Sequence, residues 1–533
     1  MRRPLRWTAA LAAACLAAAL TSPLQPGPAA AAGPNLLANP GFESGSTGWT
    51  HTGTSGAAFV QTSSPHSGTS NLAHYSGSAW TANTVQTVTG LTKGTYTFTA
   101  WTRNWGVTGA GLQAYNCGDA TQSLDLPVSS TWVKVSLAVS VLSTSCTVGI
   151  WSNSSTSSLV ADDFSFTRIT PGNGGTMPVG GDITYRRLNA AVGARYADAN
   201  GNVKDVLDVL APKGFNLARI RIYNQPGNPV TYNGATYRLQ SGYQDLADAV
   251  QNAKAAKARG MKTFISLHYS DFWTNPGLQA RPAAWAGYNQ TQLENAVYAF
   301  TVGALTQLKA NGVTPEYVSI GNEINNLLLE VDRFTSPANY YRLLKSASAA
   351  VRATSPTSKI AIHLTTPDKW LYSDWVAGAV TNGLDYDVLG VSAYPFWTNM
   401  SIASLVNFAS WANAMSGKRI MICEVGHPWT LTARGAGEQT LIQGNGLDAD
   451  GPENYGATPT GQLTYMREYL RAMSDTGKVD AVSYWDPISV DLANGADPNG
   501  WVVGGDNEVE DTSFFDYGSP SKALPGLGAF NTW

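Results

Sequence analysis

The stretch Tyr317-Val318-Ser319-Ile320-Gly321-Asn322-Glu323 is typical of a strand that is buried on both faces and then ends on an amide and a carboxylate. A carboxylate at the end of a buried strand is costly unless it is hydrogen-bonded or used. It could also cap the next helix. A second buried run, Arg419-Ile420-Met421-Ile422-Cys423-Glu424, ends in the same way. Two such carboxylates facing one cleft are what glycosidic bond cleavage requires, so we predict that Glu323 and Glu424 are catalytic.

The composition limits the possible ligands. The chain has 533 residues, enough for two or three domains. Only 13% of the residues are charged and the net charge is −3, which argues against a nucleic-acid partner. The chain is rich in Gly, Trp and Tyr, a balance that suits a neutral, hydroxyl-rich ligand bound by stacking and hydrogen bonds.

The first 32 residues have the pattern of a signal peptide. Arginines precede an apolar run over residues 7–20, and the small residues 29–32 offer a cleavage site. The run is too short for a membrane helix. We therefore expect a secreted, extracellular protein that is not attached to a membrane once the signal is removed.

The four cysteines have different expected fates. Cys15 is removed with the signal peptide. Cys117 and Cys146 lie in one region of an exported chain, which predicts a disulfide between them. Cys423 stands alone on an apolar strand, where we expect a buried, inert thiol.

Residues 35–170 have an all-β pattern. Short alternating runs are separated by Gly, Ser, Thr and Asn, which predicts a β-sandwich. Trp101 and Trp132 lie in strand patterns that favour the core. Trp80 and Trp105 lie in polar surroundings, where each is either a platform for sugar stacking or a core anchor. Residues 171–181 form a Gly/Pro linker.

From residue 182 to the C-terminus, strands alternate with helices. Eight buried strands separated by helices predict an α/β fold, a (β/α)₈ TIM barrel that follows the all-β sandwich (jelly-roll) domain. In such barrels the catalytic groups lie at the carboxyl ends of the strands, and Glu323 and Glu424 end strands four and seven. We assign the strands to residues 186–191, 217–223, 263–268, 317–321, 359–364, 388–394, 419–424 and 481–485.

Other chemically active side chains end the remaining strands. Each one alone has an ordinary structural explanation, such as an ion pair or a satisfied buried histidine. Their convergence on one rim favours a binding site. They are Arg219, Arg221, His268, His363, Tyr394 and Trp485.

The barrel region resembles a known family, the secreted endo-β-1,4-galactanases of glycoside hydrolase family 53, in clan A. The resemblance runs from Asp182 to the C-terminus. The combination of a His-Tyr-Ser-Asp-x-Trp run with Gly-Asn-Glu carries most of it. The matching runs are Arg219-Ile220-Arg221-Ile222-Tyr223-Asn224, Leu267-His268-Tyr269-Ser270-Asp271-Phe272-Trp273-Thr274-Asn275-Pro276-Gly277, Ser319-Ile320-Gly321-Asn322-Glu323-Ile324, Ile362-His363-Leu364, Gly390-Val391-Ser392-Ala393-Tyr394-Pro395-Phe396 and Tyr484-Trp485-Asp486-Pro487.

The resemblance implies roles for individual residues. Glu323 matches the acid/base, which must be protonated when substrate arrives, and Glu424 matches the nucleophile of a retaining double displacement. Asn322 matches the partner of the sugar 2-hydroxyl. Tyr394 would orient Glu424, and Trp485 would form the floor of the sugar site. The full set of substrate-binding positions implied is Arg219, His268, Trp273, Asn322, His363, Tyr394 and Trp485.

The sequence departs from the usual family pattern at three strand ends. Thr365-Thr366 stands where an Asp-Gly pair is common, Ala393 where an aromatic residue is usual, and Asp486 where Glu is usual. None of these changes removes a catalytic group.

Two calcium sites are expected. The N-terminal domain resembles jelly-roll carbohydrate-binding modules, in which the positions of Glu43 and Asp163 help to hold a structural Ca²⁺. The loop Asp448-Ala449-Asp450-Gly451-Pro452-Glu453-Asn454 spaces oxygen ligands as calcium loops do. Bacterial family members have such a loop after strand seven, where Asp448, Asp450 and Asn454 match ligands. The alternative is a solvated acidic turn.

The expected function is that of a secreted, retaining endo-glycosidase that hydrolyses β-1,4-galactan, the type I arabinogalactan of pectin. The partner is then plant cell-wall polysaccharide, and we expect a monomer. The choice of galactan follows from the resemblance. Two alternatives stay open: another clan-A endo-β-glycanase, such as a mannanase or xylanase, and a non-catalytic polysaccharide-binding protein.

Overall fold

The protein consists of a β-sandwich followed by a barrel. The computed structural model describes residues 33–118, 121–154, 157–169, 175–232, 234–432, 455–490 and 509–533. The sandwich has two five-stranded antiparallel sheets, ordered β1-β4-β9-β6-β7 and β2-β3-β10-β5-β8. Its strands are β1 Thr50–Gly53, β2 Ala58–Gln61, β3 Asn71–His74, β4 Trp80–Thr89, β5 Gly94–Asn104, β6 Gly109–Tyr115, β7 Gln122–Asp125, β8 Ser129–Val141, β9 Ser145–Ser154 and β10 Leu159–Arg168.

The sandwich core lies between the inner faces of the two sheets. Alternate residues of β5, β8 and β10, such as Phe98, Leu137 and Phe166, are fully buried there. The predicted disulfide between Cys117 and Cys146 is confirmed, and it joins the segment after β6 to β9.

The prediction that Trp101 and Trp132 belong to the core is wrong. Both are half-buried on the outer face of their sheet. Trp101 stacks on His66 with ring centroids 4.0 Å apart, and the Arg103 guanidinium lies 5.8 Å from the Trp132 ring. The physical reason is the two-residue period of a strand: Trp101 shares its face with the threonines of β5, opposite to the face of Phe98.

The second domain is a closed barrel of parallel strands that pair in chain order, with the last strand pairing with the first. This confirms the predicted TIM barrel. The barrel strands in the described residues are β11 Val179–Asp182, β12 Leu217–Ile222, β13 Lys262–Leu267, β14 Tyr317–Ile320, β15 Lys359–Thr365, β16 Val388–Ser392, β17 Arg419–Glu424 and β18 Val479–Tyr484.

The first barrel strand differs from the prediction. Residues 186–191 form a helix, and the strand is Val179–Asp182, which begins inside the segment assigned to the linker. The sequence Val-Gly-Gly-Asp has too few branched residues to be recognised as a strand. The close approach of its neighbour requires glycine, because a Cβ at Gly180 would lie 1.8 Å from the Leu217 carbonyl oxygen.

Helices surround the barrel and fix the direction of each strand. Polar caps begin several of them: Asp245, Asn289, Asp368, Ser401 and Thr458 each accept a hydrogen bond from a backbone N–H in the first turn. The helices in the described residues are α1 Arg186–Ala191, α2 Val206–Leu210, α3 Leu246–Lys257, α4 Gln290–Ala310, α5 Pro337–Thr354, α6 Lys369–Thr381, α7 Pro395–Thr398, α8 Ile402–Ser416 and α9 Pro459–Asp475. In the described part, none of them has the length and apolar character needed to cross a bilayer.

The two domains are in direct contact. Strand β8 packs against helix α8. Arg168, at the end of β10, forms an ion pair of 3.0 Å with Glu468 of α9. Glu468 is buried and also accepts a hydrogen bond of 2.7 Å from the Tyr455 hydroxyl. The sandwich therefore rests on the outer surface of the barrel.

Candidate active site

The two predicted catalytic glutamates come together at the carboxyl end of the barrel. Glu424 is the last residue of β17, and Glu323 follows β14 by three residues. Both are buried, and a carboxylate oxygen of each lies within 4.8 Å of the other. Glu323 has a φ of +52°, a left-handed conformation that costs energy in a residue other than glycine. The fold therefore holds the backbone of Glu323 in a strained conformation while it places the carboxyl group in the cleft.

Glu424 has a strongly polar environment. Arg219 donates a hydrogen bond of 2.6 Å to its Oε1, and the Tyr394 hydroxyl donates one of 2.7 Å to its Oε2. Burial opposes ionisation of Glu424, but the charge of Arg219 and these hydrogen bonds outweigh it and hold its pKa below the usual value. Glu424 is therefore an anion, as a nucleophile must be.

The pKa of Glu323 is shifted in the opposite direction, above its usual value. Burial, together with the neighbouring charge of Glu424, raises the pKa of Glu323 to about 8. Glu323 is therefore protonated at neutral pH and can donate a proton. Two carboxyl groups whose pKa values are moved apart in this way are the pattern of an acid paired with a nucleophile.

Sequence reasoning missed one residue between these groups. The Ser392 Oγ, at the end of β16, lies 2.7 Å from Oε1 of Glu323 and 3.2 Å from Oε2 of Glu424. It also lies 2.8 Å from Nε2 of His363 on β15. The serine belongs to the Gly390–Phe396 run that carries the family resemblance, but nothing local in the sequence distinguishes it from an ordinary strand serine.

Arg219 and Asn322 connect Glu424 to a set of buried hydrogen-bonded residues. The Arg219 guanidinium donates to Asn322 Oδ1 at 2.7 Å, and the Asn322 amide donates to the Thr274 carbonyl at 2.8 Å. The Thr274 hydroxyl lies 2.8 Å from Nδ1 of His268, which is fully buried. Burial lowers the pKa of His268 well below its usual value. His268 is therefore neutral, and it supports the loop that holds Asn322.

A second set of buried charges lies behind Arg219. Arg221 contacts Asp182 at 3.0 Å and Asp486 at 3.1 Å, and Arg219 approaches Asp182 at 3.5 Å. Burial raises the pKa of Asp486 to about 7. Asp182 was missed as a site residue because the first strand was assigned to the wrong segment. These residues join strands one, two and eight beneath the site.

The glutamates open into a cleft of about 270 Å³ with aromatic walls. Tyr394 and Trp485 meet edge to face, with ring centroids 5.7 Å apart. Trp273 and Trp397 complete the aromatic part of the lining. Flat apolar rings beside two carboxyl groups suit a pyranose, which has an apolar face and polar edges.

The predicted ligands of the sandwich calcium site, Glu43 and Asp163, are both hydrogen-bonded to the loop that precedes β3. The hydroxyl of Thr69 donates to Glu43 at 2.6 Å, and the hydroxyl of Ser67, on the same loop, donates to Asp163 at 2.7 Å. A Cβ at Gly41 would lie 3.6 Å from an oxygen of Asp163 and 3.9 Å from Cγ of Glu43. Ca²⁺ prefers carboxylate oxygens, but among the described residues neither Glu43 nor Asp163 belongs to a group of three or more acidic, His or Cys side chains close enough to share one ion.

Two further predictions concern residues beyond the described part of the chain. The calcium loop with Asp448, Asp450 and Asn454 lies outside the described residues, and so does the signal peptide at residues 1–32.

The two candidate sugar platforms of the sandwich lie at the same end of that domain. Trp80 lines a cavity of about 600 Å³ together with Gly106, which is next to Trp105. Trp80 is only 3% exposed, whereas Trp105 is 43% exposed. Trp105 is therefore the more exposed of the two rings, although the Arg103 guanidinium lies 4.9 Å from its centre, whereas Trp80 contributes mainly to packing.

The sequence of this chain is similar to sequences of known proteins. The chain matches the family described as Glycosyl hydrolase family 53 over residues 178–530. It is 32% identical to the arabinogalactan endo-beta-1,4-galactanase of Cellvibrio japonicus, a match that covers 66% of this chain and 89% of the relative.

Solved structures show the same similarity. The GH53 catalytic domain of Ignisphaera aggregans has 30% identity and a TM-score of 0.61, covering 68% of this chain and 98% of that one. A fungal beta-1,4-galactanase structure has 27% identity and a TM-score of 0.55, covering 67% and 99%. With its barrel matched almost from end to end, this chain belongs to glycosyl hydrolase family 53.

Proposed function

We propose that this protein is a secreted endo-β-1,4-galactanase that hydrolyses the type I arabinogalactan of pectin with retention of configuration. The observation that carries the proposal is the Glu323–Glu424 pair. One carboxylate oxygen of each residue lies within 4.8 Å of the other, and the two pKa values are shifted in opposite directions. Retaining enzymes hold their two carboxyl groups about 5–5.5 Å apart, whereas inverting enzymes need roughly 6.5–9.5 Å to admit a water molecule.

The reaction would proceed in two steps. In the first step Glu424 attacks the anomeric carbon while Glu323 gives its proton to the leaving oxygen, which produces a glycosyl ester and a free hydroxyl. In the second step Glu323, now ionised, takes a proton from a water molecule whose oxygen displaces Glu424. Asn322 would bond the sugar 2-hydroxyl, and Trp485 would support the sugar ring. Configuration is retained because the anomeric carbon is inverted twice.

The galactan specificity rests on the relatives. The Cellvibrio japonicus protein and the fungal structures carry the name β-1,4-galactanase, and the aromatic cleft of this chain suits any β-linked pyranose. Reducing-sugar release from galactan, mannan, xylan and cellulose tests the assignment. Release from galactan alone supports a galactanase. Release from mannan or xylan would make it another clan-A glycanase, and release from none would leave a binding protein. Proton NMR of the first products should show the β-anomer.

We also propose that the sandwich binds wall polysaccharide near Trp105 and that Ca²⁺ stabilises the protein. The exposure of the Trp105 ring beside a polar cavity supports polysaccharide binding by the sandwich. The carboxylates of Glu43 and Asp163, which both lie near Gly41, support a Ca²⁺ site in the sandwich. The oxygen-rich sequence at Asp448, Asp450 and Asn454 supports a second Ca²⁺ site in the barrel. Export by a signal peptide rests on the sequence of residues 1–32.

A further inference from the structure

The hydroxyl of Ser392 lies between the two glutamates. Its Oγ is 2.7 Å from Glu323, 3.2 Å from Glu424 and 2.8 Å from Nε2 of His363. The side chain is almost fully buried at the end of β16. Both carboxylates can therefore compete for a single hydroxyl proton.

Few protons are available for hydrogen bonds around Ser392. An ionised carboxylate only accepts hydrogen bonds, and a serine hydroxyl has one proton to give. Burial lowers the pKa of His363 to about 3, so its ring is neutral and carries one N–H. If that proton is on Nε2, it is donated to Ser392, and the serine proton stays available to a carboxylate. The other tautomer would accept the serine proton and leave both carboxylates without it, so donation from Ser392 to a carboxylate requires the proton of His363 to be on Nε2.

The two glutamates depend on Ser392 to different degrees. Glu424 also accepts hydrogen bonds from Arg219 and Tyr394. Within the residues that the structure describes, the side chain of Glu323 accepts a hydrogen bond from Ser392 alone. The Arg219 charge acts on both carboxyl groups, and the His363 ring faces Ser392. The loss of the serine hydroxyl should therefore affect Glu323 more than Glu424.

We propose that Ser392 is a positioning residue whose hydroxyl turns between the two glutamates and donates to whichever one is negatively charged. The inference rests on the proposed double displacement. Before the first step Glu424 is the anion and receives the proton of Ser392. After that step Glu424 is esterified and Glu323 is the anion, so the hydroxyl turns to Glu323. No bond of Ser392 breaks, and the transferred protons move only between Glu323, the leaving oxygen and water.

The Ser392→Ala variant tests this model. The second step needs ionised Glu323, so it should slow by roughly tenfold to a hundredfold, as expected for loss of a hydrogen bond to a charged group. Formation of the glycosyl-enzyme from a galactobioside with a dinitrophenyl leaving group needs no acid and should change by less than about threefold. A pre-steady-state burst of dinitrophenol should therefore become visible.

The pH dependence gives a second readout, which a purely structural role would not move. Ser392 lowers the pKa of Glu323, so its removal should shift the basic limb of kcat/KM to higher pH. Ser392→Thr keeps the hydroxyl and should keep the limb in place. Ser266→Ala serves as the control, because it removes a buried barrel hydroxyl that has no hydrogen-bond partner among the described residues.

Several outcomes would overturn the proposal. One is equal slowing of both steps in Ser392→Ala, and another is a basic limb at the wild-type pH. If Ser392→Ala does not fold, Ser392→Cys, which keeps only a weak donor, must shift the limb in the same direction. Failure of the proposed function looks different, because the wild type would then release no sugar from galactan, or Glu323→Gln and Glu424→Gln would hydrolyse galactan at the wild-type rate.

Discussion

The side-chain amide of Asn407, on helix α8 of the barrel, exchanges two hydrogen bonds with the backbone of Ala138 on strand β8 of the sandwich. The Asn407 nitrogen donates to the Ala138 carbonyl at 3.0 Å, and the Ala138 N–H donates to the Asn407 oxygen at 3.1 Å. The amide thus mimics the backbone of a neighbouring strand. Two residues further along, Gln122 bonds the backbone of Ser140 in the same way. The edge of β8 is therefore protected, partly by the other domain.

We expect Asn407→Ala to loosen the contact between the domains. Loss of two neutral hydrogen bonds that leaves a backbone donor and acceptor unpaired should cost about 1–3 kcal/mol. Calorimetry should show a broader or split unfolding transition, since the sandwich would unfold more independently. Asn382→Ala is the matched control, because the Asn382 amide donates a hydrogen bond to Gly378 of its own helix. One transition at the wild-type temperature in both variants would mean that this contact contributes nothing.

Removal of Glu424, the proposed nucleophile, should abolish turnover without abolishing binding. In Glu424→Ala, Arg219 and Tyr394 remain around a small cavity, which external azide can enter. We expect galactan hydrolysis to fall by at least about 10⁴-fold, whereas calorimetric binding of galactotetraose persists. Azide should restore activity on an activated substrate and give the α-galactosyl azide. Hydrolysis near the wild-type rate in this variant would exclude Glu424 as the nucleophile.

The pH–rate profile should be bell-shaped, with limbs set by the two glutamates. Glu424 must be ionised, so activity should be lost below its lowered pKa. Glu323 must be protonated, so activity should fall as the pH rises through about 8. The basic limb should move or disappear for a dinitrophenyl substrate that needs no acid, and an unchanged limb would point to another group.

The raised pKa of Glu323 also affects stability. Its folded-state pKa lies above the unfolded value, so the folded protein binds this proton more tightly. The resulting stabilisation is complete below the unfolded pKa of about 4.3 and is lost as the pH rises through the folded pKa. Glu323→Gln keeps a neutral side chain at every pH, so its melting temperature should fall less than that of the wild type between pH 5 and roughly pH 9. Parallel curves for the two proteins would contradict the raised pKa.

Asp182 should be important for stability although it does not line the cleft. Its carboxylate balances Arg221 at 3.0 Å and Arg219 at 3.5 Å, and all three side chains are buried. In Asp182→Asn the two guanidinium groups lose this compensation, which should cost roughly 3–5 kcal/mol in urea unfolding. Asp198→Asn breaks a more exposed pair with Lys204 and should cost less than about 1 kcal/mol. Equal losses in the two variants would argue against a special role of the buried cluster.

Calcium removal should lower thermal stability if both proposed sites are occupied in the native protein. A ligand that binds only the folded state stabilises it by mass action, so a chelator should reduce the melting temperature and added Ca²⁺ should restore it. Glu43→Ala and Asp448→Ala should each reduce the effect of the chelator, and the double variant should abolish it. An effect of full size in the double variant would place calcium elsewhere.

The sequence predicted the fold and the two glutamates because both depend on repeated local patterns. Buried runs that end in Glu mark strand ends, and the parallel barrel brings these ends together. Strand β11 was missed because Gly180 and Gly181 are required by the close approach of neighbouring strands, which no local pattern reveals. Ser392 was missed for a similar reason, since its importance comes from two carboxylates that are distant in the chain.

The errors in the sandwich have a different origin. Trp101 and Trp132 are predicted to lie in the core because tryptophans within strand patterns of a sandwich are usually buried. The two-residue period of the strand already placed Trp101 with the threonines on the outer face. The position of a residue along a strand, rather than its size, therefore decides which face of the sheet it occupies.

The contacts among Asp182, Arg221 and Asp486 have a consequence for the order in which the protein becomes active. They join the first, second and eighth barrel strands, so the last strand to be synthesised leads directly to Asp486 and to Trp485, which lines the cleft. A chain that stops after the seventh strand has both glutamates but lacks Asp486, one of the two carboxylate partners of Arg221, and Trp485, which lines the cleft. Catalytic competence is therefore acquired only when the barrel closes, and truncated products of translation or proteolysis should be inactive.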